Sequence, residues 1–233
     1  MSMSNKKVAI LQSNYIPWKG YFDLINMVDE FIIYDDVQYT KNDWRNRNGI
    51  KTRNGIEWIT IPVYNAALEQ TIRDTKIADS RWNRKHWKKI QVNYARASFF
   101  KDMKEMFEEM YMTIDSSFLS DINHSFIVFI NSILGIKTKI SFSSDYNYTG
   151  NDKNERLLDL LKSSNADIYY SGPSAKKYID LELFNGENID IRWMDYSGYP
   201  EYEQLYPPFE HAVSIIDLIF NTGAKADKYM KSL

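Results

Sequence analysis

Two short apolar runs stand close together near the start of the chain, "KVAIL" (Lys7–Leu11) and "EFIIYDD" (Glu30–Asp36). Each is rich in β-forming residues, bounded by polar residues and too short for a buried helix, so each reads as a strand. Between them, "GYFDLINMVD" places Phe22, Ile25 and Met27 among polar residues at helical spacing. Strand, loop, helix and strand make a βαβ unit. That unit ties its strands in parallel through a right-handed crossover, which commits the chain to an α/β architecture.

The rest of the sequence extends this unit. "KTKISFSSDY", "ADIYYSG" and "IDIRWMDY" carry further strands. "NDKNERLLDLLKSSN" is an amphipathic helix with Asp152 as its cap and Leu157, Leu158 and Leu161 inward. "SIIDLIFNTG" is a C-terminal helix ending at Gly223. "RNGIKTRNGIEWITIPV" holds Asn-Gly at Asn48–Gly49 and again at Asn54–Gly55, the signal of a tight hairpin with "EWITIPV" returning. "QTIRDTKIA" reads as one more strand. Arg81 to Tyr111 reads as one helix with Ser80 as N-cap, and Ser117–Gly135 as a second helix stopped by Gly135. The expectation is a mostly parallel, Rossmann-like sheet with a β-hairpin insertion. Residues 1–233 form a single α/β domain, and 81–135 read as a helical insert or lobe within it.

Composition limits the function. The 233 residues are 44% apolar with a net charge of -2, so no global basic field draws nucleic acid or an anionic membrane. The chain has no cysteine, which removes disulfides, zinc–thiolate sites and a Cys nucleophile. Two lysines precede the first apolar run, but the run breaks at Gln12, too early for a secretory signal. No stretch nears the ~20 apolar residues of a membrane span. A cytoplasmic chain is expected. Aromatic residues are 15% of the total, with 17 Tyr and 6 Trp. They suit pockets and sugar faces, or else an aromatic core.

Ligands of open parallel sheets bind at the C-terminal ends of the strands, beside the point where strand order reverses. Three strand ends here carry polar clusters. The first is Gln12, Ser13, Asn14 and Tyr15. The second is Asp35, Asp36, Gln38 and Tyr39, followed by Lys41, Trp44, Arg45, Asn46 and Arg47. The third is Ser171, Gly172, Pro173 and Ser174. Asp35 and Asp36 can orient a base, hold magnesium or bind a hydroxyl, or simply cap a turn; adjacent strand residues face opposite ways, so one of them enters the crevice. Arg45 and Arg47 can fork onto a phosphate with Trp44 stacking nearby, or lie on a solvated hairpin face. "SGPS" can hold an anion but lacks the glycine pattern of a dinucleotide or phosphate loop. Of three histidines, His86 beside Lys85 is the best general base, with a structural helix histidine as its alternative. The histidines have no metal-binding spacing, and no resident metal is expected.

Five longer blocks, "LQSNYIPWKGYFDLI", "FIIYDDVQYTKNDWRNRNGIK", "WNRKHWKKIQVNY", "NERLLDLLKSSNADIYYSGPSAKKYID" and "SIIDLIFNTG", resemble in order the blocks of the WbqC-like family. The resemblance spans about residues 7–223. Its matching positions are Gln12, Tyr15, Pro17, Trp18, Gly20 and Tyr21; then Asp35, Asp36, Val37, Gln38, Trp44, Asn46, Arg47 and Asn48. They continue with Lys85, His86 and Tyr94, then Glu155, Arg156, Ser171, Gly172, Pro173, Ser174 and Tyr178. "KNER" carries Asn154 where the family pattern has threonine. Members of this family are encoded beside genes for O-antigen and other surface polysaccharides (lipopolysaccharide among them). The resemblance therefore implies a role in making or modifying an unusual sugar, and the expectation built on it is acyl or aminoacyl (for example glycyl) transfer to the amine of a nucleotide-linked amino sugar. Catalysis would fall to His86, Asp36 and Asn14. Substrate binding would fall to Gln12, Tyr15, Asp35, Gln38, Tyr39, Trp44, Arg45, Asn46, Arg47, Lys85, Ser171, Gly172 and Ser174. No tightly bound cofactor is expected, and the acyl donor is unidentified. A fainter likeness to nucleotidylyltransferase-like folds implies ATP-dependent nucleotidyl transfer or amide ligation instead, although "WKGY" stands where that fold's His-x-Gly-His would be. A non-catalytic sugar-nucleotide-binding partner is the third reading.

Overall fold

The computed structural model describes residues 5–64 and 69–233; the first four residues of the lysine-bearing N-terminus lie outside this range. Seven strands and seven α-helices follow in the order β1 Lys7–Leu11, α1 Lys19–Asn26, β2 Glu30–Ile33, β3 Arg47–Thr52, β4 Gly55–Thr60, α2 Trp82–Tyr94, α3 Phe100–Thr113, α4 Leu119–Leu134, β5 Lys139–Phe142, α5 Lys153–Ser163, β6 Ile168–Ser171, α6 Leu181–Gly186, β7 Asp190–Trp193 and α7 Ile215–Thr222. The main sheet is ordered β5-β2-β1-β6-β7, with every pair parallel. Counted along the chain, its strands run 3-2-1-4-5, the Rossmann order, and strand order reverses between β1 and β6.

Strand alternation divides the core. Ala9, Phe31 and Ile33 face one side, where they join α1, α4 and α7. Val8, Ile10, Ile32 and Tyr34 face the other, against Leu157, Leu158, Leu160 and Leu161 of α5 and Phe184 of α6. Residues 34–138 make a single crossover from β2 to β5, so the hairpin and the helical stretch both belong to one connection. The helical stretch packs into the same core as the sheet, through Trp82, Trp87, Ile90, Phe126 and Ile130.

Most elements form where their sequence signals them. Asp152 caps α5 by accepting from the N–H groups of Asn154 (2.7 Å) and Glu155 (2.9 Å). Gly135 ends α4 in the left-handed conformation. The hairpin is separate from the main sheet and turns at Arg53–Asn54, with Gly55 at φ +100°. The other Asn-Gly pair lies inside β3, where Asn48 serves a different purpose, given below.

Three expectations fail. Arg81–Tyr111 is two helices: the chain breaks before Phe100 because Phe99 leaves the helix, gives its N–H to the Phe220 carbonyl (2.9 Å) and packs its ring where Gly223 has no side chain. "QTIRDTKIA" makes isolated bridges rather than a strand. There Thr71 and Asp74 hydrogen-bond each other and the local backbone, which favours a turn. Ser80 does not cap α2; the Arg81 N–H is taken by Asp79 instead.

At the N-terminal end of the sheet, Glu30 is buried beneath two lysines. Lys6 and Lys139 each approach it at 2.8 Å, Ser141 donates at 2.7 Å, and the Tyr146 hydroxyl also donates. Burial pushes this carboxyl up, but the bonds from Lys139, Lys6, Tyr146 and Ser141 outweigh it and hold it at about 2, against an ordinary value of 4.5. A depressed value stabilises the fold above the unfolded-state value, and that stabilisation is lost as pH falls through the folded-state one. In thermal melts, wild type should therefore exceed Glu30→Gln most at neutral pH. The gap should close between about 4.5 and about 2; a gap independent of pH would refute this.

Candidate functional site

The loop after β1 alternates as an extended chain does. Ser13 and Tyr15 point inward, and Gln12 and Asn14 point outward. Ser13 is anchored from three sides. Its N–H and hydroxyl donate to Asp35 (2.8 and 2.6 Å), and its oxygen accepts from Asn123 of α4 (2.9 Å). Ser120 donates to the same Asp35 carboxylate (2.5 Å). Burial raises the Asp35 carboxyl, while the Ser120 and Ser13 bonds and the Arg45 charge oppose the rise. Asn123 also donates to the Arg45 carbonyl (2.8 Å), joining this network to the second block. The loop then turns over at Ile16, whose φ of 37° is a strained value for a β-branched residue. Asn48 holds that turn, donating to the carbonyls of Tyr15 (3.0 Å) and Ile16 (2.9 Å), and Ser214 donates to Ile16 (2.7 Å).

The outward residues are gathered by Arg45. Its guanidinium donates to Gln12 Oε1 at 2.6 Å and to Asn14 Oδ1, and its charge lies 3.7 Å from Asp43. Gln12 lines one cavity and Asn14 lines another, so Arg45 braces the boundary between two cavities.

The first cavity, about 310 Å³, is a crevice at the strand-order reversal. Leu11 of β1, Gln12 just after it, Tyr34 after β2, Tyr169 of β6 and Tyr178 meet Lys153 and Arg156 from the first turns of α5. The Lys153 ammonium sits 3.3 Å from the centre of the Tyr178 ring. Partial desolvation lowers this ammonium from its ordinary value. Burial raises the Tyr34 hydroxyl, and the adjacent Arg156 guanidinium opposes that. Because Asp152 already takes the N–H groups at the start of α5, an anion here would be held by the two cationic side chains rather than by the helix end.

The second cavity, about 270 Å³, is walled by Trp18 and Trp44, with Pro17, Asn14, Asn48 and His211 completing it. Gly20 leaves room for the Trp18 ring, since a Cβ there would come within 2.4 Å of it.

Other residues expected at the site have other duties. His86 is buried with both ring nitrogens engaged. The Thr60 carbonyl can only accept, so Nε2 carries the proton and donates at 3.1 Å, and Nδ1 accepts from the Tyr15 hydroxyl at 2.9 Å. Burial chiefly lowers His86 to about 4, keeping it neutral. It lines neither cavity, and with Nδ1 accepting and Nε2 donating it presents no lone pair to either. Tyr15 is 0% exposed and joins His86 to Tyr111 (2.8 Å) instead of facing a ligand. Lys85 is spent on Asp79 (2.5 Å) at the surface. Asp35 is an anchor. Asp36 faces Ser143, Tyr148 and Arg73 rather than either cavity.

Asn46 is buried and donates to the Ile61 carbonyl (2.9 Å). Arg47 lies on the Trp58 ring (4.7 Å) and binds Asn42, so the two arginines do not form one fork. Tyr39 is half-buried against the core and pairs through its backbone with Gln70. Ser171 is buried against the Tyr169 hydroxyl (3.3 Å), Gly172 starts a short 3₁₀ turn, and Ser174 is exposed. Gln12, Gln38, Asn14 and Trp44 do line the cavities. The residues that sequence reasoning omitted from the site are Tyr34, Lys153, Arg156 and Tyr178 in the crevice, and Trp18 and His211 in the second cavity. Arg156, Tyr178 and Trp18 stand at family-matching positions, the one signal that pointed to them.

Residues 12–229 match the model of the WbqC-like protein family. The chain belongs to that family. It is also 48% identical over 227 residues to the uncharacterized protein Rv1507c of Mycobacterium tuberculosis (strain ATCC 25618 / H37Rv), covering 97% of this chain and 98% of that protein. No solved structure matches it. The match to the WbqC-like family takes in all of the second cavity and, apart from Ile10 and Leu11, all of the crevice. No helix among the described residues is long and apolar enough to cross a membrane.

Proposed function

We propose that this WbqC-like protein is a transferase that places an acyl or aminoacyl group on the amine of a nucleotide-linked amino sugar. The observation that carries this reading is the crevice at the strand-order reversal. Two cations, Lys153 and Arg156, meet the Tyr34 and Tyr178 rings there, as a diphosphate and its base would require. The surface-polysaccharide setting implied by the family resemblance supports the choice of an amino sugar. In the reaction, the neutral amine attacks the carbonyl carbon of an activated acyl donor. A C–N bond forms, the bond to the donor's leaving group breaks, and the amine loses one proton. In this reading the proton goes to His211, the histidine that lines a cavity, and Asn14 donates to the developing oxyanion.

The test is calorimetric titration with UDP- and dTDP-linked amino sugars. Wild type should bind, and Lys153→Ala/Arg156→Ala should bind roughly thirtyfold more weakly. Equal binding by both proteins, or no binding by wild type, would sink the reading. Binding of ATP with pyrophosphate release would turn it toward nucleotidyl transfer.

A further inference from the structure

We infer that the Trp18–Trp44 cavity is the subsite for the sugar ring, an assignment that rests on the nucleotide-sugar reading above. Among the described residues its lining has no lysine or arginine to hold a diphosphate, unlike the crevice, and offers two indole faces instead. Its walls are of two kinds. Trp18 is held by edge contacts to Tyr196 (5.2 Å) and Tyr199 (5.7 Å), a rigid apolar face. Trp44 is 42% exposed and leans on Trp58, itself 44% exposed, with ring centres 5.1 Å apart. Two neighbouring tryptophans that leave this much ring in water form an apolar platform beside a cavity. Core packing does not account for it.

The remaining edge is polar. Arg45 engages the Asn14 carboxamide oxygen, which leaves the amide N–H groups as donors, and His211 lines the same cavity. Apolar faces with a polar edge match a pyranose, whose C–H faces stack on indole and whose substituents lie around the rim. A long acyl chain would need an apolar slot without that edge. Only Ser13 separates Gln12 of the crevice from Asn14 of this cavity, so one ligand can lay its diphosphate in the first and its sugar in the second.

Saturation-transfer NMR, using UDP and a methyl aminohexoside as separate probes, tests the assignment. Wild type should saturate both. Trp44→Ala should keep UDP binding and weaken the glycoside roughly tenfold, with Trp44→Phe restoring part of it. Lys153→Ala/Arg156→Ala should show the reverse. Because Trp44 is exposed, the melting curve of its variant should stay within a few degrees of wild type. A glycoside that wild type does not saturate, or that Trp44→Ala binds as well as wild type, overturns the subsite. Failure of UDP alone overturns the nucleotide reading and leaves the sugar subsite standing.

Discussion

Replacing Asp35 by alanine is expected to cost about 3 kcal/mol of stability and to lower the melting temperature by roughly 6–12 °C. The carboxylate accepts three hydrogen bonds, from the Ser13 N–H, the Ser13 hydroxyl and the Ser120 hydroxyl, and is only 2% exposed. Alanine leaves those donors buried without their acceptor. The hydroxyls can rotate to other partners, but the backbone N–H cannot. Asparagine keeps one acceptor oxygen, so Asp35→Asn should lose less, about 1–2 kcal/mol. Chemical denaturation of the three proteins measures this directly. The order wild type, Asn, Ala is the expected result, and an alanine variant as stable as wild type would refute the anchor. The loss reaches the site as well. Ser13 sits between Gln12 and Asn14, so freeing it releases one outward residue into each cavity.

Much of this architecture is legible in local pattern. The first βαβ unit, the Asp152 cap and the Asn54–Gly55 turn are written in residues adjacent along the chain. Features that depend on distant partners are not. Nothing between Arg81 and Tyr111 signals that Phe99 will dock on Phe220 and Gly223, so the break before α3 is invisible there. His86 looks like a base until Tyr15 and Thr60 occupy its two nitrogens. The cap of α5 was readable, but its location over the crevice follows from the strand order, which local periodicity does not carry. Lys153 is therefore not legible as a cavity residue in the sequence, whereas its neighbour Asp152 is legible as a cap. Period-two alternation after β1 sends Gln12 and Asn14 one way and Ser13 and Tyr15 the other, so a polar cluster read from composition alone mixes residues that line the cavities with residues that face the core.

If the proposed transfer is the activity, Arg45→Ala is expected to cut it several hundredfold while costing no more than about 2 kcal/mol of stability. The guanidinium does two things at once: it fixes the carboxamide oxygens of Gln12 and Asn14, and it brings a positive charge to the boundary between the cavities. A planar fork can hold two oxygens on one side, whereas an ammonium is a point charge without that geometry. Arg45→Lys therefore separates the two effects. If charge alone matters, lysine should recover most of the activity. If orientation matters, as the two bonds imply, lysine should recover stability and leave turnover close to that of alanine. The binding probes then locate the damage. Loss of the fork should weaken UDP and the aminohexoside together, unlike Trp44→Ala or the Lys153–Arg156 double variant, which each affect one. An Arg45→Ala protein that binds both probes as wild type does would mean that the two cavities do not work as one site.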